Sequence, residues 1–322
     1  MIVATIGEIH EEGLKLLTND RFTIVPIKDT SSKNLKIQLK DVDAIAIRTS
    51  ELFSDVLSEC INLKIVSRHG VGTDNVDIKY LNKRKIPLAI TGTANAVSVS
   101  EHVLTLMLNL SRKIKDFDNY VRSGGFEDQS SILKTYEIYK KNILILGFGR
   151  IGKALQKRCR GFDMNVLVYD PYVSHEIISD LGCTKVDLLE GIKQADFISI
   201  HMPLTNDTKN LISRSLLKEM KQNCILINTA RGGIVNQEDL VWALNSNIIA
   251  GAGLDVYTNE PPDKLDPIFR TSNTILTPHN SALTLECRKR MAIETCENIV
   301  YYLFDREKLN DKNIINRNNL NL

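Results

Sequence analysis

The glycines of the segment GFGRIG, at positions 147, 149 and 152, have the spacing of a turn that binds phosphate groups. Gly147 permits a tight turn, and Gly149 lets the backbone approach a pyrophosphate without a Cβ in the way. Gly152 allows a helix to pack closely on the preceding strand. A helix that begins here presents free N–H groups and the positive end of its dipole to the phosphates. The segment therefore predicts a dinucleotide-binding turn.

An acidic residue follows this turn at roughly the 20-residue spacing that a dinucleotide site requires. The surrounding pattern predicts a buried strand at 143–146, a helix at 150–160 and a second strand at 165–169. Asp170 comes directly after the second strand and can accept hydrogen bonds from both ribose hydroxyls of an adenosine. A 2′-phosphate would meet its negative charge, and the next two residues are not basic. The unit therefore favours NAD over NADP.

Three further polar residues follow predicted strands, namely Arg231, Glu260 and His279. Ligands of open parallel sheets sit at the carboxyl ends of the strands. Hydride transfer between nicotinamide and C2 of a 2-oxo acid needs a proton donor near the carbonyl oxygen, and histidine supplies one near neutral pH. A neighbouring carboxylate fixes the tautomer and favours the protonated ring, while arginine grips a substrate carboxylate with two hydrogen bonds. This chemistry predicts His279 as acid/base, Glu260 as its partner and Arg231 as the substrate clamp.

The elements before the glycine turn alternate between strands and helices. Short apolar runs predict strands at 2–6, 22–27, 44–47, 63–67 and 88–91. The segments between them, such as 10–17 and 54–60, have helical spacing. This alternation predicts a small doubly wound α/β domain.

A long amphipathic helix is predicted from about Ser98 to Lys113. Ser98 can cap it, and Glu101 stands three residues on, as in a capping box. Its apolar stripe is wide enough for one face within the chain and one against a partner subunit. A homodimer is therefore predicted.

The second half of the chain predicts a complete dinucleotide-binding sheet of six parallel strands. The strands are placed at 143–146, 165–169, 197–200, 224–228, 249–254 and 274–276. A last helix, about 284–304, is long enough to return to the first domain. We therefore predict a discontinuous substrate domain, 1–95 with 287–322, and an inserted dinucleotide-binding domain, 96–286, with the active site in the cleft between them.

Composition restricts the partners and the compartment. The 322 residues are 43% hydrophobic and 25% charged with a net charge of +2, which predicts no nucleic-acid-binding surface. The six cysteines form no CxxC pair and are interpreted as reduced thiols of a cytoplasmic protein. Neither a signal peptide nor a membrane span is predicted. The Asn-rich segment 310–322 is predicted to be a frayed end.

Several motifs in the correct order resemble the D-isomer-specific 2-hydroxyacid dehydrogenase family over nearly the whole chain. They are RHGVGTDNVD (68–77), GFGRIG, HMPLT (201–205), NTARGGIVN (228–236), GLDVYTNEPP (253–262) and TPHNSALT (277–284). The resemblance implies an α/β protein with two doubly wound parallel sheets. It further implies a Rossmann dinucleotide-binding domain inserted into a smaller flavodoxin-like substrate domain.

The resemblance also implies roles for single residues. It places catalysis on Arg231, Glu260 and His279. The implied NAD contacts are Gly147, Gly149, Arg150, Ile151, Gly152, Asp170, Thr205, Ala230 and Asp255. The implied substrate contacts are Arg48 and the loop of His69, Gly70, Val71 and Gly72. The loop would offer backbone N–H groups to the substrate carboxylate, and Arg48 stands where the phosphoglycerate branch binds a phosphate.

The substrate is left with alternatives. The oxidation of 3-phosphoglycerate to 3-phosphohydroxypyruvate is the first, and the reduction of glyoxylate, hydroxypyruvate or another 2-oxo acid is the second. The stretch NSALT after His279 departs from the glycine-containing stretch of the phosphoglycerate branch, and no serine-binding regulatory domain is expected after the last helix. A remote alternative is an NAD(H)-sensing, corepressor-like binding protein.

The remaining candidate residues receive simpler interpretations. His10, His102 and His175 are interpreted as surface or structural residues. His201 is interpreted either as a cofactor contact or as a residue that caps the end of its strand. No metal site is predicted, because the sequence lacks the His, Cys and Glu spacings of known metal centres.

Overall fold

Two parallel β-sheets organise the computed structural model, which describes residues 1–126 and 133–320. The chain divides into a first unit, Met1–Asn95 with Leu283–Leu322, and a second unit, Ala96–Ala282. The chain returns from the second unit to the first between Ala282 and Leu283, four residues before the predicted boundary. This return precedes the last helix, which belongs as a whole to the first unit.

The first unit starts with five strands that alternate with four helices. These are β1 (Ile2–Ile6), α1 (Glu11–Leu14), β2 (Thr23–Ile27), α2 (Ser32–Gln38), β3 (Ala44–Ile47), α3 (Ser54–Leu57), β4 (Ile65–Arg68), α4 (Ile78–Lys83) and β5 (Leu88–Ile90). All strands are parallel in the order β2-β1-β3-β4-β5, which is the flavodoxin-like order. The central strand β3 is an uninterrupted buried AIAI, because both faces of the sheet are covered.

The second unit contains a seven-stranded parallel sheet. Its elements are α5 (Ala96–Arg112), α6 (Ile114–Arg122), β6 (Asn142–Leu146), α7 (Arg150–Gly161), β7 (Asn165–Tyr169), α8 (His175–Asp180), β8 (Thr184–Lys185), α9 (Leu188–Gln194), β9 (Phe197–Ile200), α10 (Arg214–Glu219), β10 (Ile225–Asn228), α11 (Gln237–Asn245), β11 (Gly251–Leu254) and β12 (Thr274–Leu276). The order β12-β11-β10-β9-β6-β7-β8 confirms the predicted doubly wound sheet. The strand count of six was wrong, since the two-residue edge strand β8 is too short to show a pattern.

Helix α5 differs from its predicted start and use. It begins at Ala96, so Ser98 lies buried inside the helix, and Glu101 accepts a hydrogen bond from Arg158 Nη2 at 3.0 Å. The capping-box prediction was therefore wrong. The apolar stripe, which includes Val103 and Met107, packs into the core of its own unit. The stripe is therefore used within the chain, and it does not support a subunit contact.

The last helix, α12 (Leu285–Phe304), completes the first unit. Thr284 Oγ1 caps it by accepting a hydrogen bond from Cys287 N at 3.2 Å. Ala292, Cys296 and Ile299 pack in one cluster with β1, β3, β4 and β5. The helix thus covers this face of the sheet together with Ile9 and Leu17.

The segment after α12 is ordered as far as it is described, so the prediction of a frayed end was wrong. Ile314 is buried and forms an antiparallel bridge with Ala89 of β5. Asn316 Oδ1 accepts from Leu88 N at 2.9 Å, and Asn316 Nδ2 donates to Ile86 O at 2.9 Å. Asparagine side chains thus form hydrogen bonds with backbone groups at the sheet edge. The spacing of apolar residues in the sequence does not reveal such contacts.

Three further features concern the described residues, 1–126 and 133–320. No helix among them is long and apolar enough to cross a bilayer. All six cysteines are free and buried. No three His, Cys, Asp or Glu side chains in these ranges are grouped to hold a metal ion.

Candidate active site

The predicted cofactor residues lie along one edge of the second unit's sheet. The strands β7, β6, β9, β10 and β11 are neighbours in that order, and all are parallel. Asp170, Gly147, His201, Thr229 and Asp255 are the residues that follow them directly. The edge has a switch point between β6 and β9, where open α/β sheets bind their ligands.

The three glycines of the turn differ in what surrounds them. Gly147 has a φ of +94°, and a Cβ there would lie 2.7 Å from His201 O. A Cβ on Gly152 would lie 2.4 Å from Gly147 O. A Cβ on Gly149 would meet nothing within 4 Å, and Gly149 caps the start of α7. The chain itself therefore requires the first and third glycines, whereas the middle one faces open space at a helix N-terminus, which fits a pyrophosphate.

Arg150 and Ile151 form the first turn of α7, so their backbone lies at this phosphate-binding end. Asp170 ties the turn to β7, because its Oδ2 accepts from Phe148 N at 2.7 Å and its Oδ1 from Tyr172 N at 2.8 Å. Each carboxylate oxygen retains acceptor capacity for a ribose hydroxyl. The residues present fit a dinucleotide.

The segment after β9 folds into its own turn. Thr205 N donates to Thr208 Oγ1 at 2.7 Å, and Thr208 Oγ1 donates to Pro203 O at 2.7 Å. His201 Nε2 lies 2.8 Å from Ser199 Oγ, and burial lowers the pKa of His201 to about 3. His201 is therefore a neutral ring that bonds to its own strand through Ser199.

The centre of the site is a short contact between His279 and Glu260. His279 Nδ1 lies 2.6 Å from Glu260 Oε2, and the two side chains are 48% and 37% exposed. Glu260 Oε1 also accepts from Tyr257 N at 3.1 Å. Burial tends to raise the pKa of Glu260, but the hydrogen bonds from His279 and Tyr257 N, with the charges of His279 and Arg231, lower it overall.

Because Glu260 is ionised at neutral pH, its oxygens can only accept hydrogen bonds. The Nδ1 atom of His279 must then carry a proton, and Nε2 is the nitrogen left for a reacting group. His279 also has a φ of +52°, a conformation that a residue with a Cβ seldom adopts. Surrounding contacts must hold the residue in this conformation.

Arg231 comes from the neighbouring strand end. Asn228 Nδ2 donates to Arg231 O at 2.9 Å, and Asn228 Oδ1 accepts from Ala230 N at 3.0 Å, so this buried side chain fixes the turn. A Cβ on Gly232 would lie 2.0 Å from Tyr257 C, so the turn presses against the segment after β11. The predicted Arg231, Glu260 and His279 are thus carried by the segments after β10, β11 and β12, and the charge of Arg231 reaches Glu260.

Asp255 is fully buried and holds the His279 loop. Its Oδ1 accepts from Thr277 Oγ1 at 2.6 Å and from Asn280 N at 2.9 Å, and its Oδ2 accepts from Ser281 N at 2.9 Å. The sequence suggested a nicotinamide contact for Asp255 and did not single out Thr277. The polar residues that follow β11 and β12 were the available sign that these segments contact each other. The sequence did not show which of these residues form hydrogen bonds with each other.

The substrate residues predicted in the first unit follow its strands in the same way. The last paired residues Ile6, Ile47, Arg68 and Ile90 are in register, so Gly7, Arg48, His69 and Thr91 form a row at the carboxyl edge. His69 N donates to Ile47 O and Gly70 N to Arg68 O. Among residues 1–126 and 133–320, no backbone acceptor is found for Val71 N or Gly72 N. These two N–H groups can therefore serve a ligand.

The edge of the first unit is electropositive. Burial first, and then the positive charges of Arg48 and Arg68, lower the pKa of His69 to about 4. Gly70 has a φ of +142°, a backbone conformation that favours glycine. One acidic side chain, Glu8, forms an ion pair with Arg288 at 2.7 Å.

Comparison with known proteins shows the family of the chain. Residues 104–281 match the family model described as the NAD binding domain of D-isomer specific 2-hydroxyacid dehydrogenases. The chain belongs to this family of NAD-dependent enzymes.

Three relatives show its range. The chain is 34% identical over 301 residues to a glyoxylate reductase of Korarchaeum cryptofilum, covering 92% of this chain and 90% of that protein. It is 34% identical over 301 residues to a D-3-phosphoglycerate dehydrogenase of Archaeoglobus fulgidus, covering 93% of this chain but 57% of that protein. The crystal structure of a D-lactate dehydrogenase from Aquifex aeolicus with NAD and lactic acid superposes with a TM-score of 0.86 at 27% identity, covering 98% and 99% of the two chains.

Proposed function

We propose that the protein transfers a hydride between NAD(H) and C2 of a D-2-hydroxy acid or 2-oxo acid, with His279, Glu260 and Arg231 as the catalytic residues. The observation that carries this proposal is the 2.6 Å contact between His279 Nδ1 and Glu260 Oε2, with Arg231 on the adjacent strand end. An imidazole fixed by a carboxylate, beside an arginine, is the set of groups that 2-oxo acid reduction requires.

In the direction of reduction, bound NADH supplies the hydride that C2 receives. Arg231 holds the substrate carboxylate through two parallel hydrogen bonds. The protonated His279 donates the proton on Nε2 to the carbonyl oxygen, which becomes the hydroxyl group. Glu260 stabilises the positive ring before the transfer and keeps Nδ1 protonated after it. In the oxidation, the same Nε2 accepts the hydroxyl proton.

The cofactor contacts follow from the same edge. Backbone N–H groups of the turn at Gly149, Arg150 and Ile151 would hold the pyrophosphate, since the space over Gly149 is open. Asp170 would accept the ribose hydroxyls and select NAD over NADP. Further contacts are assigned, from the family resemblance, to Thr205, Ala230 and Asp255.

We propose 3-phosphoglycerate and 3-phosphohydroxypyruvate as the substrate pair. The support is the positive edge of the first unit, where Arg48 and Arg68 both act on His69. Val71 N and Gly72 N would hold the substrate carboxylate, and Arg48 would hold the phosphate as a bidentate partner.

A second candidate is the reduction of glyoxylate or hydroxypyruvate. It is favoured by Glu8, whose carboxylate follows Gly7 at the same edge and would repel a phosphate. The match to nearly the whole length of a glyoxylate reductase also supports it.

The experiment that decides is NADH oxidation at 340 nm with 3-phosphohydroxypyruvate, hydroxypyruvate and glyoxylate. Arg48→Ala should lower kcat/KM for the phosphorylated substrate by roughly thirtyfold or more and for glyoxylate by less than about threefold, since only the former loses a charged contact. Arg306→Ala, an exposed arginine beside Tyr302, serves as the control. Equal losses for both substrates would refute the phosphate site. NADH binding without turnover of any acid would favour the binding-protein alternative.

We further propose a cytoplasmic homodimer. The free, buried thiols support a reducing compartment. Helix α6 buries none of its residues, and its Ile114 and Val121 are both 55% exposed. A second copy would cover these side chains. Light scattering should give twice the chain mass for the wild type and a lower mass for Val121→Lys; a monomeric wild type would refute the dimer.

A further inference from the structure

Thr277 joins the two loops that carry His279 and Glu260. Its carbonyl oxygen accepts from Tyr257 Oη at 3.1 Å and from His279 N at 3.1 Å. The backbone N–H of the same Tyr257 donates to Glu260. The Thr277 hydroxyl donates to Asp255. Asp255 also accepts from the backbone N–H groups of the two residues after His279. We call Asp255, Tyr257, Thr277, Asn280 and Ser281 the Thr277 network; it connects the two loops that carry His279 and Glu260.

A side chain from helix α5 reaches this network. His102 Nε2 lies 3.0 Å from Thr277 Oγ1 and 3.9 Å from Asp255 Oδ1. The Thr277 hydroxyl has a single proton, which it gives to Asp255 over 2.6 Å, so it can only accept from His102. His102 therefore donates its Nε2–H, and the chain of donors runs from His102 through Thr277 to Asp255.

The ring that donates is neutral. Burial lowers the pKa of His102, and the charge of Asp255 offsets this only in part. The side chain is 19% exposed, so water competes weakly for the bond. A neutral imidazole with its proton on Nε2 satisfies Thr277 without adding a charge beside the buried Asp255.

We propose that His102 is a positioning residue for the reaction. Its Nε2–H orients the Thr277 hydroxyl toward Asp255, and Asp255 holds the N–H groups of Asn280 and Ser281. These bonds keep His279 in its left-handed backbone conformation, with Nδ1 directed at Glu260. The proposal rests on the proposed function, and it gives a structural residue of α5 an effect on the proton donor.

The physical reason is the strain at His279. A residue with a Cβ at a φ of +52° persists only when its neighbours are held. Without the bond from His102, the Thr277 hydroxyl is free to donate to Leu254 O, which already lies 3.4 Å away. Asp255 would then lose its shortest hydrogen bond, and the loop that it holds would relax.

The test uses the full chain with His102→Leu, which removes the donor, and His102→Gln, which restores an amide N–H near the same place. Thr277→Val and Thr277→Ser form the matching pair on the other side of the bond. His175→Leu, an exposed histidine on α8, controls for the loss of a histidine. For each variant we would measure kcat, KM, the Kd for NADH by fluorescence and the melting temperature. The downfield proton resonance of His279 Nδ1–H would be assigned by its absence in His279→Ala.

We expect His102→Leu and Thr277→Val to lower kcat by roughly tenfold, with KM and the Kd for NADH changed less than about twofold. The Nδ1–H resonance should broaden or shift in both. His102→Gln and Thr277→Ser should recover most of kcat and the resonance. The double variant should lose little more than either single one, because both remove the same bond.

The proposal is overturned if His102→Leu keeps kcat and the resonance of the wild type, or if His102→Gln is as impaired as His102→Leu. A fall in melting temperature with both readouts unchanged would also overturn it, since the role would then be structural only. A wild type that turns over no 2-oxo acid refutes the proposed function instead. In that case the resonance of the apoprotein still decides whether His102 positions His279.

Discussion

Replacement of Glu260 by Gln tests the charge of the His279 pair without removing its shape. Glutamine can still accept the hydrogen bond from His279 Nδ1 through its amide oxygen. What it removes is the negative charge 2.6 Å from the ring, which stabilises the protonated form that donates in reduction.

The size of the expected loss follows from the charge interaction between His279 and Glu260 and from their exposure to solvent. Two unit charges about 4 Å apart interact by about 4 kcal/mol at an effective dielectric constant of 20 and by about 1 kcal/mol in water. The side chains are 48% and 37% exposed, so screening by solvent places the value between these limits, at about 2 kcal/mol. This corresponds to a loss of roughly thirtyfold in kcat for reduction.

The assay is steady-state NADH oxidation near neutral pH with the best 2-oxo acid, together with NADH binding by fluorescence. The Kd for NADH should stay within about twofold, because Glu260 is assigned no cofactor contact. Glu219→Gln, which breaks an exposed ion pair with Lys193 on the surface, is the matched control. A loss of less than about threefold in Glu260→Gln would refute the charge argument, and a loss confined to NADH affinity would refute the assigned role.

Two other perturbations follow from the geometry. Gly149→Ala should leave the melting temperature nearly unchanged but weaken NADH at least tenfold, whereas Gly152→Ala should destabilise the apoprotein by about 2 kcal/mol, since its Cβ would meet Gly147 O. Equal melting temperatures for the two variants would contradict this. The pKa of His69 in the folded protein is lowered to about 4. Below about pH 6.5 the unfolded chain therefore binds a proton that the folded chain does not bind, and the free energy of unfolding falls as pH falls. Between pH 7 and pH 5, urea unfolding of His69→Asn should lose about 2 kcal/mol less than that of the wild type; identical losses would show that His69 does not titrate in this way.

Much of the site was predictable because its chemistry imposes local residue types. Gly147 is required by its positive φ and by the neighbouring strand end, and Gly152 by the close approach of the helix to the turn, so the turn could be recognised without a structure. Arg231, Glu260 and His279 could be grouped because parallel strands bring their carboxyl ends to one edge. The same reasoning predicted both sheets.

The parts that could not be predicted depend on pairing between distant side chains. The tail from Asn310 has no apolar period, yet Asn316 meets the backbone of β5 and the preceding residues. His102 carries no local sign that it would meet Thr277, since the two lie far apart in sequence. Ser98 fits the capping rule, but the buried packing of α5 extends the helix before it.

The insertion of the second unit into the first has a consequence for the order in which the protein folds during synthesis. The strands β1–β5 leave the ribosome early, but the helix that covers one of their faces and the tail that closes the β5 edge are made only after residues 96–282. At about 5–20 residues per second, the nascent sheet waits roughly ten to forty seconds with apolar side chains uncovered. The inserted unit is continuous in sequence and can fold during that interval. Chaperone dependence in the cell should therefore be set by the first unit, although it is the smaller of the two.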